Sequence, residues 1–116
     1  MKVSVVIPVY NEEKYISQCL NKLLHQTVKP YEIIVVDNNS KDASVEIARR
    51  LGATVITETK QGMTYARNKG FNTAKGDILA RCDADSLVPL GWVEKIKKHF
   101  ETDKTVVGVS GPGYMY

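Results

Sequence analysis

The chain has 116 residues, of which 43% are hydrophobic and 25% are charged, and its formal net charge is +3 at pH 7. This composition is typical of a single globular domain with one hydrophobic core. The charge is small and evenly spread, which excludes the basic stripe of a nucleic-acid-binding protein. No apolar run approaches the roughly 18 residues of a membrane-spanning helix. We therefore expect neither a nucleic-acid partner nor a transmembrane segment in these residues.

The two cysteines, Cys19 and Cys82, are isolated and belong to no metal-binding motif. Reduced thiols of this kind are typical of cytosolic proteins. The apolar run at the start of the chain is too short, and too quickly followed by charge, to form a signal peptide. We predict a cytoplasmic location, which in a longer parent protein includes peripheral attachment at the inner face of a membrane.

The first two predicted strands, Val3–Val9 and residues 32–36, are nearly continuous apolar runs rich in β-branched side chains. Such runs are typical of strands buried on both faces of a parallel sheet. An apolar stripe with helical spacing lies between them, and Asn11 is the expected N-cap of that helix. The stripe consists of Ile16, Leu20, Leu23 and Leu24. Together these elements predict a βαβ unit.

The same alternation of strand and helix continues along the chain. Further strands are predicted over residues 53–57, 77–81 and 105–109. The helices between them are predicted around residues 45–51, 64–74 and 92–100. We therefore predict an α/β domain with an open, mostly parallel, Rossmann-like sheet and helices on both faces.

Three capping assignments accompany this prediction. Ser40 or Asp42 is expected to cap the second helix, because short oxygen-bearing side chains can accept hydrogen bonds from free N–H groups. Gly52 suits the position after the last turn of that helix. Pro89 suits the first turn of the last helix, where no N–H is needed.

Polar residues directly follow three of the predicted strands. In an open parallel sheet the carboxyl ends of the strands meet at one edge, and ligands bind there near the point where the strand order reverses. The residues concerned are Tyr10, Asn11 and Glu12, then Asp37, Asn38, Asn39 and Ser40, and finally Asp83, Ala84 and Asp85. Their convergence predicts a polar ligand site.

Four segments resemble family 2 glycosyltransferases of the GT-A fold. They are Ser4-Val5-Val6-Ile7-Pro8-Val9-Tyr10-Asn11-Glu12, residues 33–42, residues 62–70, and Asp83-Ala84-Asp85. Their order and spacing also match, and the resemblance covers nearly the whole chain. It implies that residues 1–116 form one nucleotide-sugar-binding domain, the amino-terminal part of a longer, metal-dependent enzyme, truncated before the catalytic site is complete.

Asp83-Ala84-Asp85 follows the DXD pattern, which in this family holds Mg²⁺ or Mn²⁺. Hard cations prefer oxygen ligands and commonly combine one or two carboxylates with substrate phosphates. The resemblance assigns Asp85 as a direct metal ligand and Asp83 as a ribose or metal ligand. The metal would neutralise charge that develops on the departing nucleoside diphosphate. Taken alone, the pattern also fits two solvated acids in a turn.

The resemblance also assigns the residues that bind the nucleotide sugar. Tyr10 is similar to the aromatic residue that packs on the donor base, where stacking contributes about 1–3 kcal/mol. Arg67 is similar to an arginine directed at the diphosphate, whose geometry suits the guanidinium fork. The whole set is Pro8, Tyr10, Asn11, Glu12, Asp37, Asn38, Arg67, Asp83 and Ala84.

Asn38 departs from the commoner Asp-Asp-Gly-Ser form of its motif, at a position that in relatives accepts a hydrogen bond from the base. A carboxylate only accepts, whereas an amide both accepts and donates. Uracil and thymine carry one N–H between two carbonyls, which suits the amide of Asn38. We therefore expect a UDP- or dTDP-sugar as donor. The alternative is that Asn38 and Asn39 only form a turn.

The resemblance predicts a hexosyltransferase-type enzyme that transfers a sugar to an acceptor hydroxyl with inversion. In relatives the general base is a carboxylate further along the chain; nothing here aligns with it, and neither Glu101 nor Asp103 has a basis for that role. A glycan or a lipid-linked sugar is the expected acceptor, and the apolar end at residues 111–116 suggests self-association.

Two other readings of the sequence compete with this one. The first is a catalytically incomplete nucleotide-binding or assembly module. The second is another nucleotide-using α/β enzyme, such as a nucleotidyltransferase or a dehydrogenase. The dehydrogenase is disfavoured because no GxGxxG motif follows the first strand.

Overall fold

The structure is a computed structural model that describes residues 1–102. Along these residues four strands alternate with four helices, in the order β1 (Val3–Val9), α1 (Ile16–Leu24), β2 (Glu32–Asp37), α2 (Ser44–Arg50), β3 (Thr54–Thr57), α3 (Met63–Thr73), β4 (Ile78–Arg81) and α4 (Trp92–Thr102). The strand predicted over residues 105–109, the apolar end at 111–116 and Asp103 lie outside the described residues.

The four strands form one parallel sheet in the order β3-β2-β1-β4. β1 lies in the interior, with Val5 opposite Ile33 of β2 on one side and opposite Ala80 of β4 on the other. The first three strands run outward from β1 in one direction, and β4 returns to its other side. The predicted open, parallel sheet is therefore confirmed, and its strand order reverses between β1 and β4.

Helices cover both faces of the sheet, as predicted. On one face, Val5 and Ile7 of β1 share a core with side chains of α1, α2 and α4, among them Leu20, Ala48 and Ile96. On the other face a smaller core joins β1 and β2 to α3; its buried members are Val6, Ile34, Val36 and Ala66. Within the described part of the chain, no helix has the length and apolar character needed to cross a bilayer.

A proline occupies the interior strand β1 without breaking its ladder. The Val6 carbonyl accepts a hydrogen bond from Cys82 after β4, and the Val9 carbonyl accepts one from Asn38 after β2. Backbone groups of a strand alternate in direction, so Pro8 faces the β4 side, beyond the last bond of that ladder. Its missing N–H therefore removes no hydrogen bond.

The cap predicted for α1 is wrong. The residue that precedes α1 is Tyr15, and it makes no side-chain capping hydrogen bond. Asn11 lies four residues earlier and bonds the loop after β2 instead. Its position after a strand, rather than beside the first helical turn, decides which donors and acceptors it can reach.

The caps predicted for α2 and α4 are correct only in part. Gly52 has φ +92° and its N–H bonds the Arg49 carbonyl, which confirms the predicted end of α2. Asp42 does accept the Ser44 N–H at 3.0 Å, although Ser40 does not cap this helix. Pro89 lies before α4, where its carbonyl accepts the N–H of Trp92.

Gly70 of α3 generates a stability prediction. An added Cβ would clash with Val6 Cγ1 and would lie 3.0 Å from Val36 Cγ2. Overpacking outweighs the gain in helix propensity, so Gly70→Ala should lower the free energy of unfolding by about 1–2 kcal/mol in urea titrations. Gly91→Ala is the matched control, because a Cβ there meets nothing within 4 Å. A Gly70→Ala variant as stable as the wild type would contradict this packing.

Candidate functional site

The loops that follow β1, β2 and β4 emerge at the carboxyl edge of the sheet. They are the β1–α1 loop (10–15), the β2–α2 loop (38–43) and the β4–α4 loop (82–91). The reversal of strand order between β1 and β4 places the usual position of a ligand site at this edge. The structure thus brings every predicted site residue of these loops to one region, whereas Arg67 stands on α3.

The β1–α1 loop presents an accessible aromatic ring and is tied to its neighbour. Tyr10 is 42% exposed at the end of β1. Asn11 has φ +53°, a conformation that asparagine adopts more readily than most residues. Its N–H donates to Ser40 Oγ at 2.9 Å, and its Oδ1 accepts the Lys41 N–H at 2.8 Å. These bonds fix the backbone beside Tyr10.

A second group of hydrogen bonds joins the same two loops. The Glu12 N–H donates to the buried Ser44 Oγ at 2.8 Å, and the Ser44 hydroxyl donates to Asp42 Oδ1. The Glu13 N–H donates to Asp42 Oδ2, while Glu13 Oε2 accepts the Ala43 N–H. We call these contacts, with those of Asn11, the loop clamp. They use the backbone N–H of Glu12, whose carboxylate accepts no hydrogen bond from residues 1–102.

Ser44 is a site-shaping residue that the sequence analysis missed. A small polar residue at the first helical position is the signal that marks it. Burial acts to raise the pKa of the neighbouring Asp42 carboxyl, but the hydrogen bonds from Ser44 prevail and lower that pKa below its ordinary value. The Asp42 carboxylate is thereby held charged within the loop clamp.

Asp37 ends β2 and is nearly buried, with 7% of its surface exposed. Its Oδ1 accepts the Ser40 N–H at 3.2 Å, and its carbonyl accepts the N–H of Glu58 after β3. Asp37 Oδ2 accepts no hydrogen bond from residues 1–102. This oxygen therefore keeps its capacity to accept a hydrogen bond.

Asn38 is fully buried, and its side chain bonds the β3–α3 loop (58–62). Its Nδ2 donates to the carbonyls of Glu58 and Lys60, at 2.8 and 2.9 Å. Its Oδ1 accepts the N–H of Gly62 at 2.8 Å. In this arrangement the amide is not free to pair with a base, contrary to the expectation from the sequence, because its polar atoms are bonded within the protein.

The DXD segment turns sharply at the end of β4. Asp83 and Asp85 are exposed, Ala84 between them is buried, and the Ser86 N–H closes the turn on the Asp83 carbonyl at 2.9 Å. Arg81 Nε lies 3.8 Å from Asp83 Oδ1. Among the described residues Asp85 forms no ion pair. The two carboxylates therefore differ, since one is partly neutralised and the other is not.

The carboxylates of the β1–α1, β2–α2 and β4–α4 loops interact electrostatically. Burial raises the pKa of Glu12, and repulsion from Asp85, Asp42 and Asp83 raises it further. A divalent cation between these groups would relieve the repulsion. No three His, Cys, Asp or Glu side chains of residues 1–102 are close enough to form a complete metal site. The arrangement suits a cation that the protein holds in part and a ligand completes.

Two buried thiols pack beneath the DXD segment. Cys19 Sγ of α1 lies 3.7 Å from Cys82 Sγ, and both sulfurs lie near the Asp83 carbonyl, at 3.6 and 3.5 Å. Both cysteines are free, in line with the predicted reduced state. The hydrogen bond with Cys19 and burial raise the pKa of the Cys82 thiol, so it stays protonated and supports the turn.

Arg67 lies in the second turn of α3 and is half-buried. It forms no ion pair with another described residue, so its guanidinium is available to a ligand anion. Lys60, in the loop before α3, instead stacks over the Tyr65 ring at 4.3 Å from the centroid.

Two pockets on the surface are separate from the acidic group, by which we mean Glu12, Asp83 and Asp85. One, of about 200 Å³, lies at the amino edge of the sheet and includes Leu23, Leu24 and Ile33. The other, of about 360 Å³, lies against α3 and includes Tyr65 and Lys69. We place the candidate site at the carboxyl edge because charge and strand order meet there, and neither pocket offers comparable chemistry.

The family model for glycosyl transferase family 2 matches residues 4–115 of this chain. Glycosyltransferase AglE of Haloferax volcanii is 42% identical over 101 residues, which cover 80% of this chain and 33% of AglE. The poly(ribitol-phosphate) beta-glucosyltransferase of Bacillus spizizenii is 36% identical over 129 residues, which cover 97% of this chain and 20% of that protein. The chain thus spans a third or less of the length of each of these two relatives.

Solved structures show the same fold. The mannosyltransferase PcManGT from Pyrobaculum calidifontis, in complex with GDP-Man and Mn²⁺, has a TM-score of 0.83 at 31% identity. The match covers 92% of this chain and 34% of PcManGT. S. aureus TarS 1–349, in complex with UDP-GlcNAc, has a TM-score of 0.78 at 28% identity; the match covers 88% of this chain and 32% of that one.

The acidic group generates a prediction on pH dependence. Because the pKa of Glu12 is raised in the folded state, its charged form opposes folding above that pKa, and Glu12→Gln should stabilise the protein at pH 7.5. The gain should be about half a kcal/mol, since Glu12 is only partly buried and solvent screens its charge, and should vanish as the pH falls through the folded pKa towards the unfolded value. Urea unfolding at pH 7.5 and pH 4 measures it. The exposed Glu46→Gln is the control, and a loss of stability in Glu12→Gln at pH 7.5 would contradict the repulsion.

Proposed function

This chain belongs to glycosyltransferase family 2, and we propose that it is the donor-binding part of a metal-dependent enzyme that transfers a sugar from a nucleoside diphosphate to an acceptor hydroxyl. One observation carries the proposal: the carboxylates of Asp85 and Asp83 lie near enough to Glu12 to raise its pKa, at the edge where the strand order of the sheet reverses. A diphosphate is itself an anion, so it binds such a surface through a shared cation.

The cation in this proposal is Mg²⁺ or Mn²⁺, held by Asp85 and Asp83. Their exposed oxygen ligands and the repulsion on Glu12 fit a hard divalent ion whose remaining positions are filled by phosphate and water. PcManGT, which shares this fold, was solved with GDP-Man and Mn²⁺. When bound, the metal neutralises charge on the departing diphosphate. The guanidinium of Arg81, with Nε 3.8 Å from Asp83 Oδ1, partly offsets the charge of Asp83.

The remaining donor contacts come from three elements. The accessible ring of Tyr10 offers a stacking face for the base, and the unbonded Asp37 Oδ2 offers an acceptor for a hydroxyl or a base N–H. Arg67 offers a guanidinium to the diphosphate. Pro8 and Ala84 are buried and Asn11 is bonded to its neighbours, so these residues shape the site.

The identity of the base is a separate proposal. The expected preference for UDP or dTDP depended on a free Asn38 amide, which the protein itself bonds. Related structures contain UDP-GlcNAc in one case and GDP-Man in another. We therefore propose that stacking on Tyr10 accepts either kind of base, and that residue 38 does not select between them.

The reaction in the whole protein would be a single displacement at the anomeric carbon, with inversion. We assign no general base to residues 1–102, because no carboxylate among them has contacts that mark it for that role. The acceptor is proposed to be a glycan or a lipid-linked sugar. A cytoplasmic setting is proposed on the ground that Cys19 and Cys82 stay reduced there.

Calorimetric titration of the chain with UDP, with and without Mn²⁺, tests the donor-binding proposal. We expect binding that requires Mn²⁺ and that weakens by about tenfold or more in Asp85→Asn, because the variant loses a charged metal ligand. Asp77→Asn removes a similar charge at the opposite edge of the sheet, where Asp77 accepts the Lys2 N–H, and should bind like the wild type.

Two results would contradict the proposal. Nucleotide binding that is equally strong without Mn²⁺ and in Asp85→Asn would remove the metal from the site. A chain that is folded but binds neither UDP nor GDP with Mn²⁺ would refute donor binding itself. Such a chain would fit the assembly module that the sequence left as an alternative.

A further inference from the structure

We propose that Asn38 is a positioning residue, which sets the start of α3 through the β3–α3 loop, and that this role requires an amide and excludes a carboxylate. The proposal rests on donor binding at the carboxyl edge. It adds a distinction between the residues that touch the donor and a residue, Asn38, that aligns them. It also explains why this chain departs from the acidic form of its motif at this position.

The side chain of Asn38 uses its full hydrogen-bonding capacity inside the protein. Its two Nδ2 hydrogens go to the carbonyls of Glu58 and Lys60. Its Oδ1 accepts the Gly62 N–H at 2.8 Å and a hydrogen from Gln61 Nε2 at 3.2 Å. An amide has two donors and two acceptor positions, and all four are satisfied.

A carboxylate at this position would be incompatible with the same neighbours. The carbonyls of Glu58 and Lys60 lie 2.8 and 2.9 Å from Asn38 Nδ2, and each would then face a negative oxygen in place of a donor. Burial would add the cost of removing the charge from water. The loop would have to move, or the carboxyl group would have to take up a proton.

The loop matters because it leads directly into α3. Gly62 has φ +139°, a conformation that side-chain-bearing residues rarely adopt, and α3 begins at the next residue. The bond from the Gly62 N–H to Asn38 fixes this entry point. Arg67 follows on the same helix, so its guanidinium is placed by the start of α3. Asn38 thereby aligns the residue proposed to meet the diphosphate.

Residue 38 also connects the loop to the other side of the site. The Asn38 N–H donates to the Val9 carbonyl at 2.8 Å, directly before Tyr10. Asn39 adds a second attachment, since its Nδ2 donates to the Thr59 carbonyl at 2.9 Å. The distance between the stacking ring of Tyr10 and the helix that carries Arg67 therefore depends on residue 38.

The test compares Asn38→Asp and Asn38→Ala with the wild type. Each protein is titrated calorimetrically with UDP, and separately with GDP, in the presence of Mn²⁺. At pH 8 we expect both variants to bind both nucleotides about tenfold or more weakly, and by the same factor for each, since alignment does not read the base. A changed preference between UDP and GDP would show instead that residue 38 contacts the base.

The pH profile separates alignment from a general loss of stability. In Asn38→Asp the buried carboxyl should have a raised pKa, and its protonated form can again donate one hydrogen bond. Its defect relative to the wild type should therefore shrink as the pH falls from 8 to 5.5, whereas that of Asn38→Ala should stay constant. The charged residues that adjoin this position are Asp37, which precedes it, and Glu58 and Lys60, whose carbonyls it bonds, and all three are present in every variant.

Asn21→Asp is the matched control, because residue 21 is exposed on α1, on the other face of the sheet from α3, and its side chain has no hydrogen bond with the described residues. It should retain most of the affinity. Wild-type affinity in Asn38→Asp at pH 8 would overturn the proposal. Should the variants not fold, hydrogen exchange in the wild type decides: the Gly62 amide should exchange slowly, and rapid exchange would overturn the proposal. If the wild type binds no nucleotide, donor binding fails, while the Gly62 exchange still tests the positioning role.

Discussion

The parallel pairing of β1 with β2 on one side and β4 on the other is the constraint on which the rest of the structure depends. All seven residues of β1 are buried, and hydrophobic burial on both faces holds the strand in the interior of the sheet. Because its neighbours run in the same direction, the residues that follow β1, β2 and β4 emerge at one edge. The ladder between β1 and β4 ends before Pro8, and the acidic loops diverge from that point.

The polar side chains at this edge fall into two classes, those that bond other parts of the protein and those that do not. Ser44, Asp42 and Asn11 bond neighbouring loops, and Asn38 bonds the loop before α3. Their capacity is used inside the protein, and they act on a ligand only through the shape they impose. The Glu12, Asp83 and Asp85 carboxylates form no such hydrogen bonds among the described residues, and the repulsion that Asp85 and Asp83 exert on Glu12 is the feature that a bound cation would relieve.

The sequence predicted the layers of the fold, and the convergence of three polar loops at one edge of the sheet, better than the contacts of individual residues. Strands such as Val3–Val9 were recognisable because burial on both faces demands continuous apolar runs. The DXD segment was recognisable because two carboxylates after a strand are a local pattern. Asn11 and Asn38 were assigned wrongly or incompletely, since their partners lie about twenty to thirty residues away and only the folded chain brings them together. Ser44 was missed for the same reason.

The most direct test of a single site at the carboxyl edge uses the paramagnetism of Mn²⁺. Nuclear magnetic resonance spectra of the nitrogen-15-labelled chain with UDP would be recorded while Mn²⁺ is added in small amounts. We predict loss of the amide signals of residues 10–12 and 83–86, while Gly52 and Gly76, which precede strands at the opposite edge, keep theirs. Broadening centred on residues 29–33, or spread evenly over the chain, would contradict the account.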